Sequence, residues 1–177
     1  MNREKILESL KNEDTKQDIL SGLTQTNDPE IIREMIALFD NDGIEIRGEI
    51  FSSLFLNDND IFESLVWGTR HESKNVRAYV TLVLANRNER RAIQELQRLT
   101  NDSSGLVRTC VYGALGHLEA KECAKELHKG ILDSNIEAVK SASYALSRIG
   151  ENISEKENES IRKYDDPDFE KILRFFN

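Results

Sequence analysis

Cysteine, proline and tryptophan are scarce in this 177-residue chain, which has two, two and one of them. With only Cys110 and Cys123, a disulfide framework is excluded as the main source of stability, and reduced thiols fit a cytoplasmic location. Two prolines and nine glycines leave most of the chain free to be helical. No apolar run approaches the roughly 20 residues a spanning helix needs, and the opening MNREKILESLKNED has no apolar stretch of signal-peptide length. No membrane contact is expected. Positive charge is also in deficit, with 24 Lys and Arg against 32 Asp and Glu and a formal net charge of −8. That balance argues against general affinity for nucleic acid or anionic lipid unless a local basic patch overrides the average. The G-x-x-x-x-G-K-S/T loop, the G-x-G-x-x-G turn and the G-x-S-x-G elbow are missing, and the carboxylates form no evident facing pair. The reading therefore assigns no catalytic residue, no cofactor and no metal, and expects no enzyme activity.

What is present is a repeat. The turn of GLVRTC around Arg108 recurs as NVRAYV around Arg77, as EIRGEI around Arg47 and more loosely as AVKSAS around Lys140, at spacings of 31, 30 and 32 residues between successive basic residues. Each copy opens with Asn, Asp, Ser or Gly, whose short side chains cap the free N–H groups of a new helix. Leu106, Val107, Cys110, Val111, Ala114, Leu115 and Leu118 then fall at three- and four-residue steps, one face of a helix. Gly113 and Gly116 are expected at tight helix packing. A second amphipathic run follows, such as Ala92, Ile93, Leu96 and Leu99, or Ala120, Cys123, Ala124, Leu127 and Ile131. One hairpin cannot bury its own apolar face, so the expected fold is all-α: an α-solenoid of about five stacked hairpins.

The polar turn, the apolar-Arg pair and the small-residue helix resemble the HEAT repeat, and the short period and the run VRTCVYGALGHLEAKECAKEL are most similar to short HEAT-like repeats of the phycobilisome-lyase type. The resemblance covers residues 14–150. It implies one repeat domain over 1–177, with a cap helix in 1–13, repeats over 14–150, a polar insertion at 151–165, mobile or weakly helical, and a C-terminal cap helix over 166–177. In HEAT families the recurring Arg ties one repeat to a turn acid or carbonyl of the next. Here that implies structural roles for Arg47, Arg77, Arg108 and Lys140, with Asp42, Asp102 and Asp133 as partners.

Cys110, His117, Cys123 and His128 do not have the close-pair spacing of zinc ligands. HEAT-like deoxyhypusine hydroxylases bind di-iron through several His-Glu pairs, and this sequence has one, His71-Glu72, which reads as a polar pair at a helix start.

Charge is unevenly divided. Residues 1–67 carry 6 basic and 15 acidic side chains, residues 68–110 carry 8 and 4, and residues 111–177 carry 10 and 13, so the centre is a basic island. In HEAT-like stacks the second helices line the concave side, which would present Trp67, Arg70, Arg90, Arg91, Gln94, Arg98, Lys121, Lys125 and Lys129. Such a surface suits an acidic protein segment, with Arg and Trp as energetic anchors. The leading expectation is a non-enzymatic interaction scaffold binding a protein on that surface. Against it stands a reading of solvated faces neutralised by Glu89, Glu95, Glu122 and Glu126. One alternative is nucleic-acid binding, as in HEAT-like DNA glycosylases. Another is a maturation or lyase-like role beside phycobiliproteins.

Overall fold

The computed structural model describes every residue except Met1, Glu13, Asp42 and Asn177. Twelve α-helices and no strand occur among the described residues, and the chain divides into two compact units, Met1–Arg87 and Asn88–Asn177. The fold is an α-solenoid of helical hairpins. No helix of the described residues is long and apolar enough to cross a membrane.

The first unit holds α1 (Arg3–Lys11), α2 (Lys16–Leu20), α3 (Pro29–Ala37), α4 (Ile44–Phe55), α5 (Phe62–Gly68) and α6 (Lys74–Asn86). In one layer α4 packs against both α2 and α6, and in the other α3 packs against both α1 and α5. Local chemistry sets the helix starts. Asn2 accepts from the Lys5 N–H, and Asp28 accepts from those of Glu30 and Ile31, with Pro29 at the first helical position, where its missing N–H costs nothing. Leu20, Met35, Ile36, Phe39, Ile50, Leu54 and Leu65 are fully buried between the layers.

The second unit holds α7 (Ile93–Leu99), α8 (Gly105–His117), α9 (Ala124–Gly130), α10 (Ile136–Ile149), α11 (Glu155–Arg162) and α12 (Pro167–Leu173). Here α8, α10 and α12 form one layer and α7, α9 and α11 pack beside it. Ser73, Ser104, Asn135 and Asp166 precede α6, α8, α10 and α12 at steps of 31 residues. The turns that follow α6, α8 and α10 carry the left-handed residues Asn88, Glu119 and Gly150, again 31 apart. In this register Val139, not Lys140, is the equivalent of Arg108. Val139 is buried, so Lys140 occupies a position of its own one residue later.

Two expectations change in α8. Gly116 does lie tight against α10, since an added Cβ would come within 2.8 Å of the Ala145 Cα, but Gly113 is exposed with nothing within 4 Å. Cys110 is only partly buried and Leu106 is exposed, because the face they share turns toward solvent at the start of α8. The segment 151–165 holds α11, with a capping box in which Ser154 and Glu157 satisfy each other's backbone N–H. The same register that aligns the other turns makes α11 the counterpart of α7 and α9.

Candidate partner-binding surface

The recurring basic residues come first, because they fix the turns from which the second helices depart. Arg47 Nη1 donates to the Asn41 carbonyl at 2.8 Å, Arg77 Nη1 to the His71 and Glu72 carbonyls at 2.9 and 2.7 Å, and Arg108 Nη1 to the Asp102 carbonyl at 2.7 Å. In all three the guanidinium reaches back to the turn that opens its own helix. Arg108 goes further: its Nε and Nη2 donate to both oxygens of Asp133, in the next turn, each at 2.6 Å. The bidentate guanidinium holds the Asp133 carboxyl below its ordinary range, and the carboxylate raises Arg108 in return. Lys140 has a different partner, Asp166 at the start of α12, at 2.7 Å. The pairing raises Lys140 and lowers Asp166. Asp42 lies outside the described residues, and its assignment rests on the sequence alone.

The second helices of the second unit are linked by a polar ladder. Gln97 on α7 donates to Glu126 on α9 at 3.0 Å, and His128 on α9 meets Glu157 on α11 at 2.8 Å, so each link joins residues 29 apart. Loss of solvation raises Glu157, but hydrogen bonds from Ser154 and His128 outweigh it and leave the carboxyl lowered. Arg90 donates to the Leu118 carbonyl and pairs with Glu122 at 3.6 Å, Arg91 pairs with Glu89 at 3.0 Å, and Arg98 pairs with Glu95 at 2.8 Å. Glu126 is therefore turned toward α7 and Glu122 toward the 3-10 turn that precedes it. Lys121, in the 3-10 turn leading into α9, and Lys125 and Lys129 on α9 follow at steps of four residues along one exposed side. Among the described residues none of these three ammonium groups makes an ion pair or side-chain hydrogen bond. Gln94 and Lys156 occupy the position of Lys125 on α7 and α11, and both are exposed. Spacing from the sequence found Lys121, Lys125 and Lys129. Lys156 was missed because 151–165 was read as an insertion, although adding 31 to Lys125 reaches it.

In the first unit Trp67, 36% exposed, ends α5 with Arg70, also exposed, just beyond. The Arg33 guanidinium of α3 lies 5.7 Å from the centre of the Trp67 ring, and the His71 ring meets it edge-on at 5.5 Å. Arg33 had no motif to announce it, because it stands 34 residues away on a different helix.

Among the described residues no group of three or more His, Cys, Asp or Glu side chains could hold a metal ion. Burial pushes the thiols of Cys110 and Cys123 up to about 11. Between α11 and α12 an open, polar cavity is lined by Arg162, Tyr164, Asp165, Glu170 and Arg174. Its charges of both signs lie side by side, and no ligand chemistry is singled out.

The family model describing HEAT repeats matches residues 62–147. No curated protein matches the chain. Among solved structures, an engineered protein is 17% identical with a TM-score of 0.63, over 99% of this chain and 97% of its own. A designed armadillo repeat protein in complex with the peptide (KR)4 is also 17% identical, with a TM-score of 0.55 over 98% of both chains. A computationally designed armadillo repeat protein for modular peptide recognition is 14% identical, with a TM-score of 0.55 over 98% of this chain and 99% of its own. At these identities the neighbours speak for the fold. With the matched repeats they support a HEAT-type repeat fold.

Proposed function

We propose that this chain is a non-enzymatic interaction scaffold that binds an acidic, extended protein segment on the second-helix face of its second unit. Lys121, Lys125 and Lys129 form the centre of that contact, with Gln94, Arg98 and Lys156 beside them. The observation that carries the reading is the lysine row, none of whose ammonium groups is ion-paired, while Glu122 pairs with Arg90 and Glu126 accepts from Gln97. A row of exposed, unpaired ammonium groups is available to carboxylates of a partner. Arg91 and Arg98, whose side chains are about half exposed, are proposed to join the lysines. Arg90 contributes less, since it already caps the Leu118 carbonyl. Trp67 and Arg70 are proposed as partner contacts on the first unit. Arg47, Arg77, Arg108 and Lys140, with Asp42, Asp102 and Asp133, are proposed to hold the repeats. A designed armadillo repeat protein takes the charged repetitive peptide (KR)4; on this face the charge is of the opposite sign. The 31-residue register supports the short HEAT-like subtype of the phycobilisome-lyase type as the finer family reading.

The test is fluorescence anisotropy with a labelled Asp/Glu-rich peptide and, in parallel, a labelled single-stranded DNA. The peptide is expected to bind at low salt, to weaken as salt rises, and to be lost in the variant Lys121→Glu, Lys125→Glu, Lys129→Glu. If the variant still binds the peptide, the proposed face is wrong. Tighter binding of DNA, with a steep salt slope, would move the reading to nucleic acid.

A further inference from the structure

Helix α4 is apolar on two sides, and its own unit uses one of them. Ile46, Ile50 and Leu54 are buried against the core. On the other side Ile44, Gly48, Phe51 and Phe55 follow at steps of four, three and four residues, the spacing of a two-helix seam. Ile44 is 77% exposed, Phe55 43% and the adjoining Leu56 57%. The Phe51 and Phe55 rings stack with centroids 6.2 Å apart, and beside Gly48 a side chain would meet no atom within 4 Å. The strip is thus a ridge of aromatic and aliphatic groups with a gap where another backbone can approach closely.

One edge of the strip is acidic. Glu45 and Glu49 lie on α4 itself and the exposed Asp18 on α2, which packs against it. Arg47, the basic residue of α4, is drawn away from the strip to the Asn41 carbonyl and over the Tyr79 ring, 5.5 Å from its centre. Lys74 at the start of α6 and Arg33 on α3 are exposed basic residues on helices packed against α4. The first unit as a whole carries ten basic and sixteen acidic side chains.

We infer that this strip is a docking surface for an amphipathic helix of a partner protein, with apolar residues at seam spacing and Lys or Arg along the flank that meets Glu45 and Glu49. The seam spacing calls for a helix, the gap at Gly48 lets it sit close, and Glu45 and Glu49, which share one edge of the strip, select a basic flank on that edge. A second copy of this chain does not fit as well: it would bring its own Glu45 and Glu49, and a unit of the same negative sign, against the same acids. One short helix face is a small interface, so the contact is a transient one.

The probe is a synthetic helical peptide with Leu at the seam positions and Lys along one flank. Its controls are the same peptide with Glu on that flank and a scramble that keeps the Lys content. Binding to the full chain is read by isothermal titration, with sedimentation of the chain alone beside it. The Lys-flanked peptide is expected to bind at least about tenfold more tightly than either control. Two variants locate the contact: Phe55→Ser removes an anchor, and Gly48→Gln fills the gap in open space while favouring the helix, so it leaves the fold intact. Each is expected to weaken the Lys-flanked peptide about tenfold with unchanged thermal unfolding for Gly48→Gln. No binding of that peptide, equal binding of the Glu-flanked one, or indifference to Gly48→Gln overturns the proposal. So does a dimer of the chain that Phe55→Ser dissolves.

Discussion

Arg108 and Asp133 are 15% and 6% exposed in their side chains, so their pairing is shielded from solvent and sensitive to the loss of either partner. Because Arg108 lowers the Asp133 carboxyl, folding gains from the ionised form. That gain is complete above the unfolded value, near about pH 4, and is lost as pH falls through the lower folded value. Arg108→Met is expected to cost about 3 kcal/mol near neutrality by leaving a shielded carboxylate without its cation. It should also flatten the acid limb, so that the deficit against the parent narrows below about pH 4. Urea unfolding at several pH values measures both effects, and an equal deficit at all pH values would contradict the assignment. The sequence announced Arg108 because the same need for a turn cap recurs at Arg47 and Arg77. It could not announce the partner: a carbonyl six residues back and a carboxylate in the next turn are both within reach of a guanidinium. Lys140 shows the opposite failure, since its similarity in sequence hid a one-residue shift that leaves Val139 in the register position.

At the scale of elements, α11 is the exception that the amphipathic pattern missed. Its counterparts α7 and α9 bury Leu96, Leu99 and Leu127, whereas α11 buries only Ile161. A helix with so little apolar face gives no periodic signal, and it depends on its capping box and on the His128–Glu157 contact instead. Its amides are expected to exchange with solvent well before those of α9 and α10, through local opening rather than global unfolding. Ser154→Ala should lower that local opening free energy by about 1 kcal/mol and leave the main unfolding transition in place. Hydrogen exchange read by mass spectrometry checks this, and protection of α11 equal to that of α9 would refute it. Turn chemistry was the legible part: Ser73, Asn135 and Asp166 cap their helices through their side chains where the repeat puts them, because an N-cap is a local requirement.

For the whole molecule, the two cysteines report on opening of the fold. Cys123 is fully buried, and its thiol is pushed up to about 11 by loss of solvation and by Glu126 and Glu122. In the native protein Cys123 is expected to resist thiol reagents near neutral pH and to react fully in urea, because the thiolate is the reactive species. Rapid native labelling of Cys123, followed by peptide mapping, would show that the second unit opens far more readily than its packing implies. The sequence by itself determined the helical class, the hairpin unit and its period near 31, since helix periodicity and capping act over a few residues and repeat with them. The tertiary structure alone decided which charges are spent and which are left over. Glu122 and Glu126 sit beside Lys121 and Lys125 in the chain, yet packing turns the acids to Arg90, in the turn before α7, and to Gln97 on α7, and leaves the lysines facing solvent. It likewise left the Ile44–Phe55 side of α4 uncovered, because which face of a doubly apolar helix meets the core depends on neighbours distant in sequence.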